Sequence, residues 1–305
     1  MNWRVKGVVQ GVLSRMPGGG AINNCLQTTL GGLRDFEANV DAKVVDDWLV
    51  LIANMQELGV RPQNLDYVEV GTGWYPALPI CYRLAGARSC RTFDVTRHLN
   101  RKMTFRMLGR LEHHLPAIAE ASFRPLTEVQ ADYASLCNAK TAEELLRAAN
   151  IEYLAPHDAA GSGLPDSSVD VVFSNSVLEH VPADAILRIM HETRRILRKG
   201  GLAIHSVNCG DHYAYFDRNI TAANYLIYPQ QKWSKWNNGL LYQNRLRPSD
   251  FMDMAEQSGL RIVLNKSKPN PQLLSVLPTL AIAPEFRHYP PEQLASTSVG
   301  FVAQA

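Results

Sequence analysis

Cysteine is scarce in this sequence, and no two cysteines have the spacing of a metal-binding or redox motif. The chain of 305 residues has five cysteines, far apart, and no C-x-x-C pair. Because their number is also odd, the sequence predicts neither a zinc site nor a disulfide framework. We expect reduced thiols in a cytoplasmic protein.

Long hydrophobic runs are also missing. The N-terminal segment interrupts its valines with Lys6, Gln10 and Arg15, so it lacks the apolar core of a signal peptide. No stretch reaches the roughly 18 apolar residues that span a bilayer. The sequence therefore predicts no stable membrane insertion.

The sequence also lacks a large excess of charge of either sign. Lys and Arg number 31 against 29 Asp and Glu, a formal net charge of +2. This balance gives no reason to expect binding to nucleic acid or to an anionic membrane. We expect a small-molecule substrate, no nucleic-acid partner, and a monomer or homodimer.

What the sequence does contain is an alternation of strand and helix patterns in a chain that is 46% hydrophobic. Strands are predicted at Asp66–Val70, 88–94, 151–158, Val169–Ser174, 201–207, 260–266 and 296–304. A helical pattern at Asp41–Leu58 precedes the first strand, and others separate the first five strands, as at Ala185–Leu197. This order predicts an α/β fold, a Rossmann-like, doubly wound seven-stranded sheet with ligand sites at the carboxyl ends of its strands.

Local signals predict several helix ends. Thr141 and Glu144 have the spacing of a capping box. Gly200 and Gly201 are predicted to close the helix that ends at Leu197. Ser249 is predicted to cap the last long helix.

Three segments fall outside the repeat. Residues 1–40 contain clustered glycines and are predicted to form a lead-in or lid. Residues 41–305 are expected to form one domain with insertions at about 96–150 and 208–246. Both insertions leave the carboxyl edge of the sheet, so we expect them to cap the site there with helical elements.

Acidic side chains follow three successive strands. Glu69 precedes Gly71 and Gly73, where glycine lets a ligand approach the backbone and the next helix offers amide donors. An acid at that position suits a positively charged group, such as an ammonium, better than a pyrophosphate. Asp94 can accept hydrogen bonds from ribose hydroxyls, and Asp158 from an adenine amino group.

The segments VEVGTGWYP, TFDV, HDAAGSGLPDSSVDVVFSNSVLEHV and LRKGGLAIHS resemble the class I S-adenosylmethionine-dependent methyltransferases, in particular the subgroup called methyltransferase type 11. The resemblance covers about Leu65 to Val207 and, less well, the stretch from Arg247 to Ile262. It implies S-adenosyl-L-methionine as the cofactor and an antiparallel last strand. Two departures are Tyr75, where the family often has a third glycine, and the long insertion before the third strand.

The resemblance also implies the roles of individual residues. The first loop is expected to bind the methionine end of the cofactor. Asp94 is expected to bind the ribose, and Asp158 with Ala159 the adenine. Asn175 and Ser176 are expected to face the amino-acid part. The loop residues are Glu69, Gly71, Thr72 and Gly73.

Methyl transfer to a hydroxyl or amine of a small molecule is the function these features predict. The acceptor classes considered are a secondary metabolite, a sugar and a lipid-linked glycan. His212, His180 and Asp211 are the candidate catalytic residues, with His212 as the base that a hydroxyl needs. No run of histidines, cysteines and acids has ligand spacing, so no metal is expected.

Two other functions stay open. A non-catalytic protein of the same fold could bind the cofactor as an effector. An NAD-dependent oxidoreductase is disfavoured, because Pro76 occupies the third glycine position of G-x-G-x-x-G.

Overall fold

The computed structural model describes residues 2–16 and 35–305. Seven strands form one sheet in the order β3-β2-β1-β4-β5-β7-β6. Strands β1 to β5 are parallel, and β7 is antiparallel to both β5 and β6. The predicted Rossmann-like sheet with an antiparallel last strand is confirmed. The strands are β1 (Asp66–Val70), β2 (Ser89–Phe93), β3 (Ile151–Leu154), β4 (Val169–Asn175), β5 (Leu197–Asn208), β6 (Arg261–Asn265) and β7 (Ser298–Gln304).

Helices flank this sheet and connect its strands. A π-helical stretch, Lys43–Trp48, joins α2 to α3. The α-helices are α1 (Trp3–Leu13), α2 (Phe36–Ala42), α3 (Leu49–Glu57), α4 (Ala77–Leu84), α5 (Arg101–Leu111), α6 (Leu115–Ser122), α7 (Leu126–Cys137), α8 (Ala142–Ala148), α9 (Ala183–Ile196), α10 (Gln230–Trp233), α11 (Pro248–Gln257), α12 (Pro271–Val276) and α13 (Pro291–Leu294).

One of the predicted helix ends is confirmed. The backbone N–H of Glu144 donates to the Thr141 hydroxyl at 3.1 Å, and the Glu144 carboxylate accepts from the Thr141 N–H at 3.3 Å. These reciprocal bonds satisfy two of the donors that the start of α8 would otherwise leave free.

Two predicted ends are wrong. Gly200 and Gly201 lie inside β5, because α9 ends at Ile196 and the pairing of β5 with β4 shifts register there. Helix α11 is capped from Arg247, whose N–H donates to the Asp250 carboxylate at 2.6 Å. The Ser249 hydroxyl donates instead to the Gln293 side chain, also at 2.6 Å.

The sheet buries apolar side chains on both faces. Helices α2 to α8 cover one face, and the 96–150 insertion contributes Met107, Ile118, Val129 and Leu145 to that core. Helices α9 and α11 cover the other face. The insertion therefore packs into the body of the domain, and its helices bury their apolar sides against the sheet layer.

A third apolar cluster joins the segment after β5 to both ends of the chain. Trp3 of α1 packs against Tyr213 and Trp236, with ring centroids 5.3 and 5.1 Å apart respectively. Residues from α12 to α13 complete the cluster. Much of the predicted aromatic segment is therefore core. The predicted lead-in is described only at residues 2–16 and from 35 onward; its glycine clusters lie outside the described residues.

None of the helices in the described ranges is both long and apolar enough to cross a membrane.

Candidate active site

The candidate site lies at the carboxyl ends of the central parallel strands. Strands β1 and β4 are neighbours, while the chain leaves β1 toward β2 on one side and β4 toward β5 on the other. This reversal opens a crevice above the two strands, the usual ligand position in such sheets. The loops after β1, β2, β4 and β5 all reach this edge.

The loop after β1 needs glycine for a steric reason. Gly71 has φ +83°, and its N–H donates to the Phe93 carbonyl at 2.8 Å. A Cβ on Gly71 would meet both γ-methyl carbons of Val177, at 2.8 Å from Cγ1 and closer to Cγ2. The loop is therefore pressed against the segment that follows β4.

The Asp94 carboxylate holds the same loop from the end of β2. Its Oδ2 accepts from the Gly73 N–H and from the Tyr153 hydroxyl, both at 3.1 Å. Asp94 is 8% exposed, and burial raises the pKa of its carboxyl. The side chain is thus ordered before any ligand arrives.

Glu69 is the acid buried beneath the glycine loop. It is 3% exposed, and burial raises its pKa to about 8, against a weaker opposing effect of the Thr72 and Thr92 hydroxyls. Its Oε2 has no hydrogen-bond partner among the residues described. A buried carboxyl in this state gains most from a ligand that brings a positive charge.

Two further polar groups lie at the carboxyl end of β4. Asn175 is buried, and neither its amide oxygen nor its amide nitrogen has a partner within the described ranges. Ser176 adopts φ +55°, and its N–H donates to the Ser206 carbonyl at 2.9 Å. Because non-glycine residues seldom take this conformation, the turn marks a constrained position beside the crevice.

Glu179, in the 3₁₀ turn Leu178–His180, is the most isolated acid of the site. It is 1% exposed, and neither carboxylate oxygen has a hydrogen-bond partner in the part of the chain that is described. Burial raises its pKa to about 7.

The loop after β5 brings two of the predicted catalytic histidines together. The rings of His180 and His212 have centroids 5.0 Å apart. His180 Nδ1 lies 2.7 Å from the Tyr242 carbonyl, while His212 Nε2 is buried without a partner among the described residues. Burial, with repulsion from His180 and Lys6, lowers the pKa of His212 to about 4. His212 is expected from the sequence to act as the base for a hydroxyl; withdrawal of its ring from water favours the neutral form and makes it a weaker base than a free imidazole.

Asp211, the third candidate catalytic residue, has both carboxylate oxygens engaged. Oδ1 accepts from the Tyr213 N–H at 2.8 Å, and Oδ2 accepts from the Asn224 amide at 2.7 Å. Burial raises its pKa to about 6. These bonds cap the 3₁₀ turn His212–Tyr215, so the carboxylate fixes the backbone that carries His212.

Asp158 lies farther along the edge, after β3. It is exposed, and its Oδ1 accepts from the Ala160 N–H at 2.9 Å, which begins the short turn Ala159–Gly161. The predicted strand 151–158 is too long, because β3 ends at Leu154; Asp158 and Ala159 lie in the loop that follows, at the rim of the crevice.

Four residues of this region were missed by the sequence analysis. Nothing in the sequence around Glu179 indicates that its carboxylate is buried. Lys43 and Asp47 form an ion pair of 3.2 Å on the π-helical stretch, and Tyr153 contacts Asp94 from within β3. A π-helical insertion often marks a functional segment, but it leaves no clear signal in a sequence.

Several of the buried polar atoms without partners lie at this edge of the sheet. Buried polar atoms in native proteins are usually paired with protein, water or ligand, so these groups are available to bind a ligand. Within the described residues they include Glu69 Oε2, Thr72 Oγ1, Thr92 Oγ1, both amide atoms of Asn175, both carboxylate oxygens of Glu179, and His212 Nε2.

Comparison with known proteins found a matching family model. The family model described as a methyltransferase domain matches residues 115–205, from α6 into β5. The matched stretch includes Asp158, Asn175 and His180, but not Glu69 or Asp94. No curated protein matches the chain in sequence.

Several solved structures are similar in fold. They include an S-adenosylmethionine-dependent methyltransferase from Mesorhizobium loti, with 14% identity, a TM-score of 0.44, and coverage of 83% of this chain and 96% of that one. Another is geranyl diphosphate C-methyltransferase from Streptomyces coelicolor A3(2), with 11% identity, a TM-score of 0.46, and coverage of 88% and 85%. At such identities and TM-scores, neither likeness carries a substrate over to this chain.

The family-model match confirms the resemblance to class I S-adenosylmethionine-dependent methyltransferases. It also confirms the predicted enzyme class, a methyltransferase, and the predicted cofactor, S-adenosyl-L-methionine.

Proposed function

We propose that the chain transfers the methyl group of S-adenosylmethionine to a hydroxyl or amine of a small molecule bound beside His212. The cluster of unpartnered polar atoms at the ends of β1, β4 and β5 is the observation that carries this proposal. One part of it suits the cofactor and the other, around Glu179 and the histidines, suits an acceptor.

The cofactor half is formed by the loops after β1 to β4. Glu69 would pair with the ammonium of the methionine moiety, above the backbone of Gly71 and Gly73. Asp94 would accept from the ribose, and Asp158 with Ala159 would border the adenine. Asn175 would complete the methionine pocket together with Thr72 and Ser176.

The acceptor half is formed by the loop after β5. His212 and His180 would face the acceptor, while Asp211 serves as a positioning residue for His212. Tyr215 is 68% exposed and its ring centroid lies 5.5 Å from that of His212, so it can wall the acceptor. We propose that α1 and residues 208–246 cap the acceptor site. Residues 96–150 have no part in this cap, because they pack against the sheet layer.

The transfer itself needs alignment above all. The sulfonium is already activated, so the protein must hold the acceptor atom in line with the methyl and the departing sulfur. An amine acceptor attacks with its own lone pair. A hydroxyl must also lose its proton as the new bond forms.

A direct test uses cofactor with an isotopically labelled methyl group and pooled hydroxyl and amine acceptors. The proposal predicts label in a small-molecule product and an equal amount of S-adenosylhomocysteine. Cofactor binding with no labelled product from any pool would favour the non-catalytic alternative instead.

Replacing Asp94 should weaken cofactor binding tenfold or more. Charge-assisted hydrogen bonds of the kind proposed to the ribose are worth about 1.5–3 kcal/mol each. Calorimetric titration of Asp94→Ala with S-adenosylhomocysteine measures the loss, and thermal unfolding checks the fold. Tyr153→Phe is the matched control, because it leaves the carboxylate in place and removes only the hydroxyl that donates to Oδ2 and accepts from the His98 N–H. Wild-type affinity in Asp94→Ala would exclude the proposed ribose contact.

Glu69 should release a proton when the cofactor binds at pH 7. With a pKa of about 8 the free carboxyl is mostly protonated, and an ammonium ligand favours its ionised form. Calorimetry in two buffers of different ionisation enthalpy measures this release. In Glu69→Gln we expect no such release, and an affinity lower by roughly 10- to 100-fold. Equal proton release in both proteins would contradict the role.

The same variant should be more stable than wild type at pH 8 without cofactor. A folded-state pKa raised from 4.5 to about 8 means that the folded protein holds the proton more tightly, so stability falls as pH rises through that window. Glutamine does not titrate, so the variant does not lose this stability as the pH rises. Thermal unfolding at pH 5 and pH 8 should show the gain of Glu69→Gln only at the higher pH.

A further inference from the structure

Glu179, His180 and His212 bring three metal-ligand atoms into one place. One ligand atom from each residue lies within 4.8 Å of the other two. Ligand atoms of a tetrahedral zinc ion, with bonds of about 2.1 Å, lie about 3.4 Å apart. Small side-chain rotations would therefore bring these three atoms to coordination distance. Spacing along the sequence does not reveal these three ligands as a group, because His212 follows β5 whereas Glu179 and His180 follow β4.

The carboxylate of Glu179 is the strongest sign that something binds here. It is 1% exposed, and neither oxygen has a hydrogen-bond partner within residues 2–16 and 35–305, although the backbone N–H groups of Glu179 and Asn208 are near enough to lower its pKa. Withdrawing a carboxylate from water without a partner is costly, and a cation relieves that cost. The two oxygens are free to coordinate one.

The His180 ring is already oriented for coordination, and the backbone of His212 is held beside it. The Tyr242 carbonyl accepts from His180 Nδ1 at 2.7 Å, which leaves the lone pair on Nε2. Metal-bound histidines typically have such a second hydrogen bond to a carbonyl or carboxylate. The side chain of the adjacent Gln243 accepts from the backbone N–H of His212 at 3.1 Å, so one short segment holds the ring of His180 and the backbone of His212. His212 Nε2 is buried and has no partner in the described part of the chain.

Two imidazoles and one carboxylate define the class of ion. Imidazole favours zinc and the neighbouring divalent transition metals over magnesium or calcium, which prefer oxygen ligands. Three protein ligands also leave a coordination position open, as in catalytic rather than structural zinc sites.

We propose that Glu179, His180 and His212 bind a divalent transition metal ion of the zinc type, whose open position takes the oxygen of the methyl acceptor. The metal site stands on its own geometry; the acceptor's place on it rests on the proposed function. It replaces the expectation, drawn from sequence spacing, that no metal is involved.

A metal held by these three residues would lower the pKa of the acceptor hydroxyl, whose proton would pass to solvent. The oxygen then forms a bond to the methyl carbon as the carbon–sulfur bond breaks. The bonding pair of that bond stays on sulfur, and S-adenosylhomocysteine leaves uncharged at the sulfur. No redox change is required.

Titration of the metal-free protein with Co²⁺ tests the binding. Cobalt in a four-coordinate nitrogen and oxygen site absorbs visible light more strongly than hydrated cobalt does, and zinc should displace it. We expect one equivalent per chain. Affinity should fall at least tenfold in Glu179→Gln and in His180→Gln. His113→Gln, at an exposed helical position, is the matched control and should behave like wild type.

The outcomes separate this proposal from the proposed function. Absence of a cobalt band, or a band equally strong in the Glu179→Gln/His180→Gln double variant, overturns the metal site. Labelled-methyl transfer that survives removal of metal would leave the methyltransferase assignment intact while overturning the metal's catalytic role. Cobalt binding lost in both variants, with unchanged affinity for S-adenosylhomocysteine, supports the site and shows that the variants are folded.

Discussion

Replacing His212 with alanine should lower turnover by about 10² to 10⁴-fold, the range lost when a group that assists the departure of a proton is removed, here through the proposed metal. Its Nε2 is buried without a partner among the described residues and lies beside His180, in the loop proposed to hold the acceptor. Affinity for S-adenosylhomocysteine should change little, because the cofactor half is formed by other loops. Steady-state kinetics with the labelled cofactor and calorimetry measure the two quantities.

His212→Gln separates chemistry from packing. It keeps a polar side chain of similar size while removing the basic nitrogen, so its turnover should be as low as that of His212→Ala. His113→Ala, at an exposed position, should retain wild-type turnover. Near-normal turnover in either His212 variant would rule out a chemical role for this residue.

Replacing Gly71 with alanine should weaken cofactor binding by about 30-fold or more. An alanine at φ +83° is strained, and its Cβ would overlap the Val177 methyl groups. Backbone strain of about 1–3 kcal/mol and overpacking of about 1–3 kcal/mol together favour a displaced loop. Since the loop carries the proposed methionine contacts, its displacement should appear as lost affinity for S-adenosylhomocysteine in calorimetry.

A substitution at Val177 separates the steric overlap with the Cβ introduced at position 71 from the backbone strain there. The double variant Gly71→Ala/Val177→Ala removes the γ-methyl groups and should recover part of the lost affinity, while the strain at position 71 remains. Val177→Ala alone reports the cost of the cavity it leaves. If Gly71→Ala binds as tightly as wild type, the loop does not approach the cofactor as proposed.

The sheet could be predicted almost completely from the sequence. Strands such as Asp66–Val70 have the predicted bounds because short β-prone runs stand between clear glycine and charge boundaries. Asp94 follows β2 directly, as expected, since strand order places successive acids at one edge. Helix capping was less predictable. The capping box of Thr141 and Glu144 is present, whereas the Ser249 hydroxyl donates to Gln293 and does not cap the helix.

The acceptor half of the site could not be predicted to the same depth. Whether Asp211 acts or only positions depends on Asn224 and the Tyr213 backbone, which occupy both of its oxygens. The proximity of Glu179 to His212 depends on how two strand-end loops fold over one another. Such contacts arise from tertiary packing, so neither spacing nor composition reveals them.

Calorimetric titration of the purified protein with S-adenosylhomocysteine tests the central claim most directly. The cofactor site at the ends of β1, β2 and β4 predicts saturable binding of one molecule per chain, weakened by Asp94→Ala and by Glu69→Gln. No binding heat and no thermal stabilisation with either S-adenosylhomocysteine or S-adenosylmethionine would contradict it.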